Sequence, residues 1–135
     1  KKEGDAAMNY YQKGLDLSIK AENKNQVYYH AINLAFLSVV KDNNETKMEK
    51  YAIQALAAAE QSRNGLWKYA TIAEASMYLD DMEKAKEYYQ KAADMAEIRE
   101  KISMHTNAYA AYCSLIGVRN DEDPFIVFLK QNFLA

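Results

Sequence analysis

One proline and four glycines are all the strong helix breakers that the sequence contains, so little can interrupt helices, and the breakers present mark junctions. Cysteine is nearly absent. Cys113 alone cannot form an internal disulfide and fits a reducing compartment, so the cytoplasm is the expected location. No apolar run approaches the roughly 20 residues of a membrane span, and no secretory pattern of charge, apolar stretch and cleavage site opens the chain. An excess of one charge is missing too: 17 basic and 19 acidic side chains are interspersed, which leaves no basic stripe for nucleic acid or anionic lipid. Neither partner class is expected. The sequence starts at Lys1, without a methionine and already inside a helical pattern, so an excised or processed piece of a longer protein is expected. Its 135 residues suit one domain with a sizeable core.

What is present is helical periodicity. Apolar residues recur at helix spacing over long windows, separated by short polar clusters: "AENKN" from Ala21, "KDNNE" from Lys41, "SRNG" from Ser62, "LDD" from Leu79 and "RNDEDP" from Arg119. Strand signals are nearly missing, and the expected class is all-α with about seven helices. Gly65 after Asn64 reads as a helix C-cap. Asp123 before Pro124 reads as an N-cap followed by proline in the first turn, where its missing N–H costs nothing.

The chain repeats itself. Tyr29, Ile32, Asn33 and Phe36 share their spacing with Tyr69, Ile72, Ala73 and Ser76, and with Tyr109, Tyr112, Cys113 and Ile116, at a period of 40 residues. Such spacing lies along one helix face, so each frame presents a large anchor, then a medium residue beside a smaller one that admits a partner helix. A second helix follows each frame, patterned Met48, Ala52, Ala55, then Ala85, Tyr89, Ala92, then Phe125, Leu129, Asn132. Ala7, Tyr11 and Gly14 look like the second helix of an earlier unit. The expected organisation is a single domain of antiparallel helix pairs: a partial first repeat over 1–22, repeats over about 25–62 and 65–97, and a last pair over about 98–134.

The stretch "YATIAEASMYLDDMEKAKEYYQKAADM" resembles the tetratricopeptide repeat, with its aromatic, its small residue beside a larger one, its tight turn and the Ala, aromatic, Ala ladder of "EKAKEYYQKA". The resemblance implies a short right-handed solenoid of stacked helix pairs. Three features depart from the family: Asp80-Asp81 replaces the usual Gly-Asp, the unit exceeds the usual ~34 residues, and the final proline is missing. They leave the superhelical pitch open. From Tyr28 to Ile116, "YYHAINLAFLSVV" and "LWKYATIAEASMYLDDMEKAKEYYQKA" are also similar to the repeat region of stress-activated kinase kinase kinases and related bacterial proteins, sometimes called the TRAF-binding domain. No residues here match a motif for TRAF itself.

Stacked pairs of this kind form a concave side where ligands usually go. If the tyrosine frames face the core, the concavity receives His30, Leu34 and Leu37 from the first frame, and Ala70, Glu74 and Met77 from the second. Ala110, Ser114 and Gly117 follow from the third, with Val27, Trp67 and Asn107 flanking the helix starts. The expected binding groove is therefore His30, Leu34, Leu37, Trp67, Ala70, Glu74, Met77, Asn107 and Ser114, suited to a peptide or partner helix.

Each residue also has a structural reading. Trp67 suits a binding anchor, but cover over the core beside Tyr69 is favoured. Asn33 in a small-residue position needs a hydrogen-bond partner, with a neighbouring helix favoured over a ligand. Glu74 favours a basic or amide-bearing partner, or else it lies on a solvated face. His30 and His105 have no partners at metal-ligand spacing, and Cys113 suits a packed thiol. No metal, cofactor or catalytic residue is expected. Some tetratricopeptide proteins hold a chaperone's C-terminal carboxylate in a basic clamp; His30, Leu34, Ala70 and Glu74 offer neither lysine nor arginine for it. "NET" at Asn44 reads as a polar turn, and Asp80-Asp81 as another.

The favoured function is a non-catalytic interaction module. The alternative is a structural segment that assembles, for example as a homodimer, through "PFIVFLKQNFLA", where Ile126, Val127 and Phe133 would form the contact. Deep wedging of that helix into the core is slightly favoured over such exposure.

Overall fold

A computed structural model describes residues 2–135. Its described residues form seven α-helices and no strand: α1 (Lys2–Lys20), α2 (Lys24–Val40), α3 (Glu45–Glu60), α4 (Leu66–Tyr78), α5 (Met82–Met95), α6 (Ile98–Ile116) and α7 (Pro124–Phe133). The class is all-α. No helix among the described residues is long and apolar enough to cross a membrane.

Three connections share one chemistry. Glu22, Asn43 and Asp80 take left-handed backbone angles, with φ of 54°, 49° and 63°. The next residue in each case, Asn23, Asn44 or Asp81, caps the following helix by accepting a hydrogen bond from the backbone N–H of Gln26, Lys47 or Lys84. The cap's own N–H returns to the carbonyl of Ser18, Ser38 or Ser76, at 3.0, 2.8 and 2.8 Å. One polar residue thus ends one helix and starts the next. The polar turns at Asn44 and Asp80-Asp81 lie here. Asp123 accepts from the Phe125 N–H with Pro124 in the first turn, as the sequence suggests. Gly65 corrects the C-cap reading. Its φ of 166° is extended, it precedes α4 as the N-cap, and α3 has already ended at Glu60.

Consecutive helices α1 to α5 pack one on the next, and the alanines of the second helices bring them close: Ala52, Ala55, Ala85 and Ala92 are wholly buried. At α6 the order changes. Glu97 and Glu100 form a capping box after a two-residue connection, and α6 packs mainly on α7, α2 and α4 rather than on α5. Helix α2 is therefore surrounded by α1, α3, α4 and α6, and buries Val27, His30, Ala31, Ile32, Leu34, Ala35, Ser38 and Val39. A helix enclosed in this way needs apolar residues nearly all round.

The packing also shows a different repeat register. Ala35, Ala73 and Ala111 are each wholly buried and lie 38 residues apart; Ser38, Ser76 and Ser114 keep the same interval. The 40-residue tyrosine frame slips by two positions against this register. On a helix two positions are a rotation of about 200°, so the frame faces the core on α4, while on α2 Ile32 is its one buried member and Tyr29 turns outward. Ile72, Ala73 and Ser76 are buried, whereas Tyr29 is 44% exposed.

The last helix is wedged into the array. Ile126 and Phe133, expected at an assembly surface, are buried, with the Phe133 ring 5.9 Å from that of Tyr89. Phe125 packs nearby against Tyr112, the rings tilted and 4.7 Å apart. Only Val127 of the three expected contacts is exposed. Short α7 has two neighbours, α5 and α6, and its apolar residues are shared between them.

Candidate binding cavity

The return of α6 towards α2 encloses a cavity of about 380 Å³. Helix α2 lines it with Tyr28, Tyr29, Ile32 and Asn33; α4 supplies Trp67, Ala70, Thr71 and Glu74. Tyr89 comes from α5, and Ser103, Met104 and Asn107 come from α6. Residues four or three apart on one helix face the same way, which is how each helix contributes a strip. Ile32, Thr71, Tyr89 and Met104 are buried at the base, while Tyr29 and Trp67 stand exposed at the mouth. In the 38-residue register Tyr29 and Trp67 are equivalent, so one position of two successive repeats supplies both rims.

Glu74 is the only acid in the lining, and no lysine, arginine or histidine accompanies it. Its repeat equivalents are Phe36 and Tyr112, so a carboxyl stands where the other units place an aromatic ring. Burial pushes that carboxyl up to about 7, against the opposing effect of a hydrogen bond from the Tyr78 hydroxyl. Tyr78 and Tyr89 are both raised well above the ordinary phenol value, first by burial and then by the nearby Glu74 charge. Asn33 finds its partner on its own helix, donating from Nδ2 to the Tyr29 carbonyl at 2.8 Å. The residue borders the cavity.

Of the residues expected in the groove, the structure brings Trp67, Ala70, Glu74 and Asn107 to this cavity. Trp67 does not cover the core; it is 54% exposed. His30, Leu34 and Met77 are buried and lie outside the cavity, as does partly buried Leu37. Ser114 is also partly buried and away from the lining. The cause on α2 is the register slip described above, which sends His30 towards α1. There its ring packs over Gly14, where a β-carbon would clash with it. Sequence reasoning missed the base residues Ile32, Thr71, Tyr89 and Met104; the interval between Ser38, Ser76 and Ser114 is the signal that would have found the correct face.

Cys113 is partly buried and free. Among the described residues, no three His, Cys, Asp or Glu side chains come together as a metal-binding group. No family model matches this chain, and neither a curated protein nor a solved structure matches it.

Proposed function

We propose that this chain is a non-catalytic interaction module of the tetratricopeptide kind, acting in the cytoplasm, whose cavity between α2, α4 and α6 receives part of a protein or peptide partner. The observation that carries this reading is the pairing of two exposed aromatic rings, Tyr29 and Trp67, at the mouth of a cavity with an apolar base and one carboxyl. Large rigid rings supply binding area at little entropic cost, and a few polar groups orient the ligand. The volume of about 380 Å³ is small beside a helix of about 10–12 Å diameter. An extended peptide inserting one or two side chains fits this space better than a whole partner helix.

Self-association through the C-terminal helix loses its basis, since Ile126 and Phe133 are buried. Selection from a displayed random-peptide library tests the binding reading, with the Trp67→Ala protein as counter-target. The expected result is enrichment of related sequences that bind the parent chain and lose affinity for the variant. Absence of enrichment, or equal binding to a folded Trp67→Ala protein, would overturn it.

A further inference from the structure

We infer that the cavity recognises an alkylammonium group, a primary amine cation on an apolar stem, with Glu74 as its counter-ion and the rings of Tyr28, Tyr29, Trp67 and Tyr89 around the stem. This inference rests on the binding reading above and specifies its ligand chemistry.

Three observations carry it. First, Glu74 lines the cavity without a basic partner in the lining, and its carboxyl accepts a hydrogen bond from the neutral Tyr78 hydroxyl. A carboxylate held among protein atoms without a cation is unfavourable, and a cation that enters beside it is attracted far more strongly than at the surface. Second, four aromatic rings share the lining. Ring faces attract ammonium ions within about 6 Å, and the apolar base at Ile32 and Met104 suits the methylene stem. Third, Glu74 breaks the repeat. Phe36 and Tyr112 occupy the same position in the neighbouring units, and an acid there costs stability that an aromatic would not.

The titratable groups facing Glu74 are the phenols of Tyr78 on its own helix, Tyr89 on α5, and Tyr28 and Tyr29 on α2; α6 presents Ser103, Met104 and Asn107. No positive charge from any of these elements competes for the carboxylate. Burial raises its pKa to about 7, so an ammonium ion would bind in step with loss of the Glu74 proton and bind more tightly as pH rises through that value.

The single tryptophan, Trp67, makes the test direct, because its fluorescence reports from the mouth of the cavity. The parent protein is titrated at pH 8 with n-butylammonium chloride, with 1-butanol as the neutral comparison and with N-acetyl-lysine N-methylamide as the capped lysine. Saturable change is expected with butylammonium and none with butanol, and Glu74→Gln is expected to weaken binding by roughly tenfold or more. Glutamine keeps the size and folding is checked by circular dichroism. Binding of the capped lysine as well identifies a lysyl side chain of a partner as the source; binding of butylammonium alone identifies a free amine. If neither amine gives a saturable signal, or Glu74→Gln binds them equally, the inference is overturned. Library peptides that still depend on Trp67 but bind Glu74→Gln unchanged would remove the cation inference and leave the binding reading standing. If neither peptides nor amines bind, both readings fall.

Discussion

The Tyr78 hydroxyl donates a 2.5 Å hydrogen bond to Glu74 Oε2, one turn earlier on the same helix. Both side chains come from α4, so the bond forms with the helix itself, while the other helices around the cavity, α2, α5 and α6, are brought in by the tertiary fold. The bond lowers the carboxyl pKa, burial raises it, and burial wins at about 7.

That balance sets a pH dependence. Glu74 in the unfolded chain titrates near its ordinary 4.5 and in the folded chain near 7. Between those values the folded state holds the proton that the unfolded state has released, so stability falls as pH rises through this window and levels off above it. At about 1.4 kcal/mol per unit the loss is at most about 3.5 kcal/mol. Glu74→Gln should flatten this component and raise the melting temperature at pH 8. Urea denaturation of both proteins from pH 4 to pH 9 measures it; identical profiles would count against a desolvated Glu74 without a cationic partner.

Gly14 is expected to resist substitution. A β-carbon there would overlap the His30 ring, which is itself buried and has no hydrogen-bond partner for Nδ1. Gly14→Ala should cost about 1–3 kcal/mol through overpacking, although alanine is intrinsically the better helix former. Truncation of His30 to alanine in the same protein should recover part of the loss. Chemical denaturation of the two single variants and the double variant gives the coupling.

The turn after α4 invites a stabilising change. Asp80 has φ of 63°, a conformation that glycine adopts at little cost. Asp80→Gly should stabilise by about 0.5 kcal/mol, whereas Asp81→Ala should cost about 1 kcal/mol by removing the cap on Lys84. Thermal melts of the two variants should move in opposite directions.

The C-terminal helix separates burial from assembly. Phe133 is buried against Tyr89, so Phe133→Ser should destabilise by about 3 kcal/mol or more. Exposed Val127→Ser should change stability by less than about 0.5 kcal/mol. Light scattering beside the melts should show no change of particle mass for Val127→Ser; a dimer that it dissolves would restore the assembly reading.

Trp67 provides the complementary case. Because its side chain is more than half exposed, Trp67→Ala should leave the melting temperature nearly unchanged. A large drop in stability would assign it to the core instead.

The helices were legible because their signals are local. Periodicity outlined the helical segments, Asp123 before Pro124 marked the start of α7, and the polar clusters between segments held Asn23, Asn44 and Asp81, which cap the helices that follow. The turn from α5 to α6 has no polar cluster of the usual kind, and its capping box in Glu97 and Glu100 was the overlooked signal. The cavity was half legible. Trp67, Ala70, Glu74 and Asn107 were named, but on α2 the conspicuous tyrosines at 40-residue spacing outweighed the small residues at 38. Anchors can sit at a surface; Ala35, Ala73 and Ala111 cannot, since their size is what lets helices meet.

By itself the sequence determined an all-helical chain, its turns and the internal repetition, because periodicity, caps and backbone preference act over a few residues. Only the tertiary structure decided which face of α2 lines the cavity, that α6 leaves α5 to pack on α2, and that Glu74 lies among aromatic rings without a cation. Those outcomes depend on contacts between residues tens of positions apart, where a slip of two residues reverses a helix face and local pattern carries no record of the neighbour.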